Sequence, residues 1–206
     1  MAKKPHVADA AISAAFDLAA ERGWRSLSLA DIAERAAVPL PDLVERFPTK
    51  ARVLGAYVDG IDSRMLAGGY DPREVTRDRL FDVMMRRFEA MAPDRRALGV
   101  ILRESGDDPI LLLCGLRRFV RSMALTLEAA GLSSSGVGGV VRLKGLTAIY
   151  LSTLRTFLDD DTPDLTRTMA ALDKALLRAE GLASLLWGRR PAPRPQGPEQ
   201  PAERSV

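Results

Sequence analysis

The chain has 206 residues and a net charge of +3, with 47% hydrophobic but only 5% aromatic residues. This is enough apolar mass for a true core, either as one domain or as a small head on a larger body. The single cysteine, Cys114, excludes an internal disulfide, and no uncharged apolar run reaches membrane-spanning length, so a reducing cytoplasm is the expected setting.

Ala, Leu, Arg and Glu dominate and β-branched runs are rare, which predicts an all-α protein. A first helix is expected over residues 7–22, with Ile12, Ala15, Phe16 and Ala19 on one face and Gly23 as its stop. Ser28 and Asp31 form a capping-box-like start to a second helix that carries Leu29, Ile32 and Ala33 inward. After the turn Ala36-Ala37-Val38, a short third helix is expected over residues 41–47. Thr49 then caps a fourth, with Val53, Leu54, Tyr57, Val58 and Ile61 along its buried side. Gly68-Gly69 is a break. Asp71-Pro72 reads as an N-cap with proline at the first helical position, opening a helix striped by Leu80, Met84, Phe88 and Met91. Pro93 starts another segment, which ends at Ser105-Gly106-Asp107-Asp108. Residues 109–130 form a long apolar helix stopped by Gly131, and Ser133-Ser134-Ser135-Gly136 has the composition of a flexible linker. Residues 140–158 are apolar on nearly every face, as in a helix packed on several sides. Asp159-Asp160-Asp161-Thr162-Pro163 predicts a capped turn. A last helix over 164–187 points Leu165, Met169, Leu172 and Leu176 inward. The tail, 188–206, holds five prolines in nineteen positions and is expected to be disordered. The organisation is about nine helices: a head over 1–50, a helical effector-binding and dimerisation body over 51–187, and the tail.

Residues 28–50, SLADIAERAAVPLPDLVERFPTK, have the pattern of a helix-turn-helix. Such a corner needs apolar packing positions, here Leu29, Ile32, Ala33, Val38, Leu43 and Phe47, and presents the outer face of its second helix to the major groove. The general field of the head gives little help. Residues 1–60 contain eight basic side chains and eight acidic ones, whereas phosphate neutralisation is the main sequence-independent source of DNA affinity.

The phrases ERGW, SLADIAERAAV and LVERFPTKARVL, at this separation, resemble the DNA-binding head of the TetR family of bacterial transcriptional regulators. The resemblance covers about fifty residues. It implies a homodimeric, cytoplasmic regulator, usually a repressor, with a helical body that responds to an apolar small molecule. It also shows four departures. The glycine of the family's turn is Ala37, the serine that caps its reading helix is Pro39, the exposed aromatic is Val44, and the following pair is Glu45 and Arg46. Pro39 and Pro41 remove backbone donors, and Asp42 and Glu45 repel phosphate. The candidate DNA-binding residues are Ser28, Leu40, Asp42, Val44, Arg46, Thr49 and Lys50, with Ser28, Arg46, Thr49 and Lys50 the best phosphate contacts.

The body segments RDRLFDVMMRRFEAMAPDRRAL and LKGLTAIYLSTLRTFLDDDTPDLTRTMAALDKAL are similar to the lipid-binding accessory proteins of coenzyme Q (ubiquinone) biosynthesis, which share the TetR fold without DNA binding. Asp161-Thr162-Pro163-Asp164 and Gly23-Trp24 fit that family's junctions. This resemblance implies a cavity for isoprenoid lipid and a last helix that touches membrane through Leu182, Leu185, Leu186 and Trp187. In either reading the ligand-binding candidates are Met84, Phe88, Met123, Tyr150 and Leu154. Two functions stand side by side, the regulator and the lipid-binding accessory with a vestigial head. The neutral head favours the second; the complete packing pattern favours the first.

No enzyme is expected. His6 sits near the start, Cys114 in LLLCGL reads as a small apolar residue, and Asp159 to Asp161 read as caps rather than a cation site. No phosphate-cradling glycine motif or zinc spacing occurs, so no cofactor or metal is expected.

Overall fold

The computed structural model describes residues 4–105 and 109–187, with side chains over 7–105 and 115–182. Among these residues the fold is all-α. Nine α-helices follow in order: α1 Lys4–Arg22, α2 Leu29–Arg35, α3 Leu40–Arg46, α4 Lys50–Ala67, α5 Thr76–Met91, α6 Arg95–Glu104, α7 Pro109–Ala129, α8 Gly136–Leu158 and α9 Thr166–Trp187. A single 3-10 turn, Ala92–Asp94, joins α5 to α6. The tail over 188–206 lies outside the described residues.

The head is α1 to α3. Ala11, Ala15, Phe16, Leu18 and Ala19 of α1 meet Ile32 and Ala33 of α2 and Leu43 of α3, all with 4% exposure or less. One apolar core continues from there, without a break, through Val53, Tyr57 and Ile61 of α4 into the body. It ends at Leu172 and Leu176 of α9. Phe88 is its hub, with ring centroids 5.4 Å from Tyr150 and 5.2 Å from Phe157.

Two expectations are corrected. Asp71-Pro72 does not open α5. Asp71 accepts a hydrogen bond from Arg73 N at 2.8 Å to close a turn, and the helix begins five residues past Asp71, at Thr76, without a side-chain cap. An Asp-Pro pair suits both a helix start and a turn, and the next apolar position, Val75, is 62% exposed and holds nothing inward. The serine-rich linker is tied down. Ser134 donates twice to Glu128, Arg142 donates to Ser133 O, and α8 starts at Gly136 rather than Val140. As expected of a helix packed on several sides, α8 packs against α6, α7 and α9, while Val137, Val140, Val141 and Leu151 remain exposed in the single chain.

The junction between α8 and α9 is a capped turn, as expected. Fully buried Asp160 accepts from the backbone and hydroxyl of both Thr162 and Thr168. Those bonds hold its carboxyl far below the usual carboxylate range against the opposing effect of burial.

Candidate functional site

The α2–α3 corner is built from caps and a small set of buried apolar side chains. Ser28 caps α2 in a complete capping box: Asp31 N donates to Ser28 Oγ at 3.1 Å, and Ser28 N donates to the Asp31 carboxylate at 2.8 Å. The Ser28 hydroxyl and backbone N–H hold the Asp31 carboxyl below its ordinary value. α2 ends in a Schellman motif: Val38 N donates to Ala33 O and Ala37 N to Glu34 O. That motif needs a left-handed residue, and Ala37 supplies it at φ 52°, where a glycine would be unstrained.

α3 packs through Leu43, and Phe47 follows at its C-cap; both are buried. Its other residues face out. Leu40 is 42% and Val44 41% exposed, and Pro41, Asp42, Glu45 and Arg46 are exposed with them. Pro39 is the N-cap and makes no side-chain cap bond. The outer face therefore carries two aliphatic side chains, two carboxylates and one guanidinium.

The candidate phosphate contacts separate in the structure. The Ser28 hydroxyl is engaged with Asp31. Lys50 is half-buried; its ammonium donates to Trp24 O at 2.8 Å and lies 5.1 Å from the Trp24 ring, clipping α4 to the loop after α1. Thr49 holds the N-cap position of α4 without a side-chain cap bond, a correction to its expected capping role. Arg46 is exposed, with its guanidinium 5.6 Å from the Phe47 ring. Arg35 pairs with Glu21 through two bonds of 2.9 and 2.7 Å, which fastens α2 to α1.

A joint that the sequence reading missed connects head to body. Arg25 N donates to Glu104 Oε2 at 2.8 Å, at the end of α6. Gly23, at φ +87°, makes room for it, since a Cβ there would stand 2.8 Å from the Glu104 carboxylate. Further along, Arg118 of α7 reaches Gly55 O and Asp59 of α4. Only the glycine of ERGW hinted at this contact.

In the body, Met84 and Phe88 of α5, Met123 of α7 and Tyr150 of α8 are brought together as buried core, with Leu154 half-buried beside them. Two surface grooves lie elsewhere. One, of about 410 Å³, is lined by Arg95, Arg96, Gly99, Arg103 and Leu158. The other, of about 760 Å³, is lined by Tyr70, Arg79, Phe81, Met85 and Met169. Neither includes the five candidates.

Next to them is a buried polar network absent from the sequence reading. Arg87 of α5 pairs with Asp62 of α4, which also accepts from Ser122 of α7, and the guanidinium lies 5.4 Å from the Tyr150 ring. The Nε of Arg87 and the Oγ1 of Thr153 are buried with no partner. Of the membrane-contact candidates, Leu182 is exposed on α9, while the side chains of Leu185, Leu186 and Trp187 lie outside the described residues, as do those of His6 and Cys114. Among the described residues, no helix is long and apolar enough to cross a membrane and no acidic, His or Cys cluster could hold a metal.

Residues 11–57 match the model of the bacterial regulatory proteins of the tetR family. A TetR transcriptional regulator from Nitrosomonas europaea is 26% identical, with a TM-score of 0.71 over 84% of this chain and 98% of that one. A TetR regulator from Rhodococcus sp. RHA1 is 19% identical, with a TM-score of 0.62 over 90% of this chain and 100% of that one. No curated protein matches the chain. The match over residues 11–57 and the likeness over nearly the whole length agree: the chain has the helix-turn-helix regulator fold of the TetR family, head and body.

Proposed function

We propose that the protein is a transcriptional regulator of TetR type. It binds DNA as a homodimer, as a repressor, and releases it when the body takes up a small apolar molecule. The observation that carries this reading is the α2–α3 corner. Its inner face is complete and its outer face is free to enter a groove. The similar solved structures are regulators with the same fold. A second copy would cover the exposed Val137, Val141 and Leu151 of α8 with Leu177 and Leu182 of α9. Left in water, such a strip favours association. Two-fold pairing would place two α3 helices on successive major grooves, about 34 Å apart.

The lipid-binding accessory reading draws on the neutral charge of the head and on Pro39, Pro41, Asp42 and Glu45 at α3. One titration separates the two readings. The purified full-length protein is titrated against its own upstream DNA at low and moderate salt. The regulator reading expects specific retention that weakens with salt, and in Arg46→Ala a salt slope smaller by about 1, the signature of one lost phosphate contact. Absence of retention, with isoprenoid lipid found in the purified protein by mass spectrometry, would establish the accessory reading instead.

A further inference from the structure

We infer that α3 reads pyrimidines: the operator strand it faces presents thymine methyls to Leu40 and Val44 and a cytosine amino group to Glu45. This rests on the regulator reading and specifies its partner. In the major groove each base edge asks for a different side chain. Guanine takes Arg or Lys, adenine takes Asn or Gln, cytosine N4 donates to a carboxylate, and the thymine methyl packs on an apolar group. The outward residues of α3 are Leu40, Pro41, Asp42, Val44, Glu45 and Arg46. There is no Asn, Gln or Lys among them.

Position around the helix sets apart the one remaining purine reader. At helical spacing Arg46 falls on the flank opposite Leu40 and Val44, with its guanidinium 5.6 Å from the ring of the buried Phe47. At helical spacing, the buried Leu43 marks the inner edge, and Pro41 and Glu45 stand opposite it. Leu40 and Val44, one turn apart, form an aliphatic strip on one flank. Those groups match thymine methyls. The carboxylate of Glu45 is repelled by phosphate, and a carboxylate desolvated in the groove without a donor is destabilising. Cytosine N4–H is the donor the groove offers such a group. The features that weaken α3 as a general DNA binder thus make it selective. A 5-methylcytosine, which carries both a methyl and the amino group on one base, suits the same face.

The test is selection from a random duplex library by the full-length protein at low salt. Base analogues are then placed in the selected site. The expected sites carry thymine and cytosine on the strand facing α3. Uracil in place of a contacted thymine, which removes only the methyl, weakens binding about fourfold. Val44→Ala or Leu40→Ala weakens binding and abolishes that uracil effect. Glu45→Gln moves the preference at one position from cytosine to adenine, about tenfold. All three side chains are exposed, so these variants keep the fold. Selected sites that contact α3 through guanine or adenine, with no uracil effect, overturn the inference and leave the regulator reading intact. A library from which no site is selected overturns both.

Discussion

The head and the body bury different things. Among the described residues, every buried polar side chain belongs to the body: Asp62, Arg87, Ser122, Thr126, Thr153, Asp160 and Thr168. The interior of the head is apolar, and its polar pairs, Glu21 with Arg35 and Ser28 with Asp31, lie at the rim. The head is therefore held by filled volume and helix caps, which fix one shape. The body is held partly by pairing of buried charge, which fails when one partner is removed or changes its ionisation. The body also buries polar atoms that have no hydrogen-bond partner, among them Nε of Arg87 and Oγ1 of Thr153.

The sharpest way to break this comparison is to remove one partner of the buried pair. Asp62→Ala, which strands Arg87, is expected to lower stability by about 3–5 kcal/mol, read by thermal or denaturant unfolding. Asp62→Asn with Arg87→Met should recover most of it. If the double substitution is as damaging as the single one, pairing is not what holds the body. The corresponding cut in the head is Leu43→Ala, expected to cost about 2–4 kcal/mol through the cavity it leaves. Added salt should not change that cost.

Asp160 gives the body a pH dependence. Its folded pKa is depressed, so the stability it contributes is present above the ordinary aspartate value of about 4 and is lost as pH falls below that value. Asp160→Asn should lower stability by about 2 kcal/mol at neutral pH and flatten the acid-unfolding curve below about pH 4. An unchanged acid limb would remove Asp160 from the account. The smallest effect is in the head: Ala37→Gly relieves the left-handed residue of the α2–α3 turn and should raise stability by about 1 kcal/mol. Equal or lower stability would mean that the turn is unstrained.

The parts of this molecule that were legible in the sequence are those governed by near neighbours. Gly23 as a stop, the Ser28–Asp31 cap, the apolar positions of α2 and α3, and the Asp160 turn all act within a few residues. The Asp62–Arg87 pair spans 25 residues and joins two helices. A signal existed, since Arg87 sits between Met84 and Met91 on the buried stripe of α5 and Asp62 beside Ile61 on that of α4. A charged residue at an apolar position is the mark of a buried partner. The Arg25–Glu104 joint is 79 residues apart, with only Gly23 as a clue. At the candidate interface, the apolar packing residues were legible, while the engagement of Lys50 with Trp24 depends on how α4 meets the first loop.

The most direct measurement of the central claim is a footprint of the full-length protein on its own upstream DNA. The account predicts two protected patches on one side of the duplex, about 34 Å apart, both weakened by Val44→Ala. The absence of protection at concentrations where the protein is a stable dimer would contradict it. So would a footprint that substitutions on α3 leave unchanged.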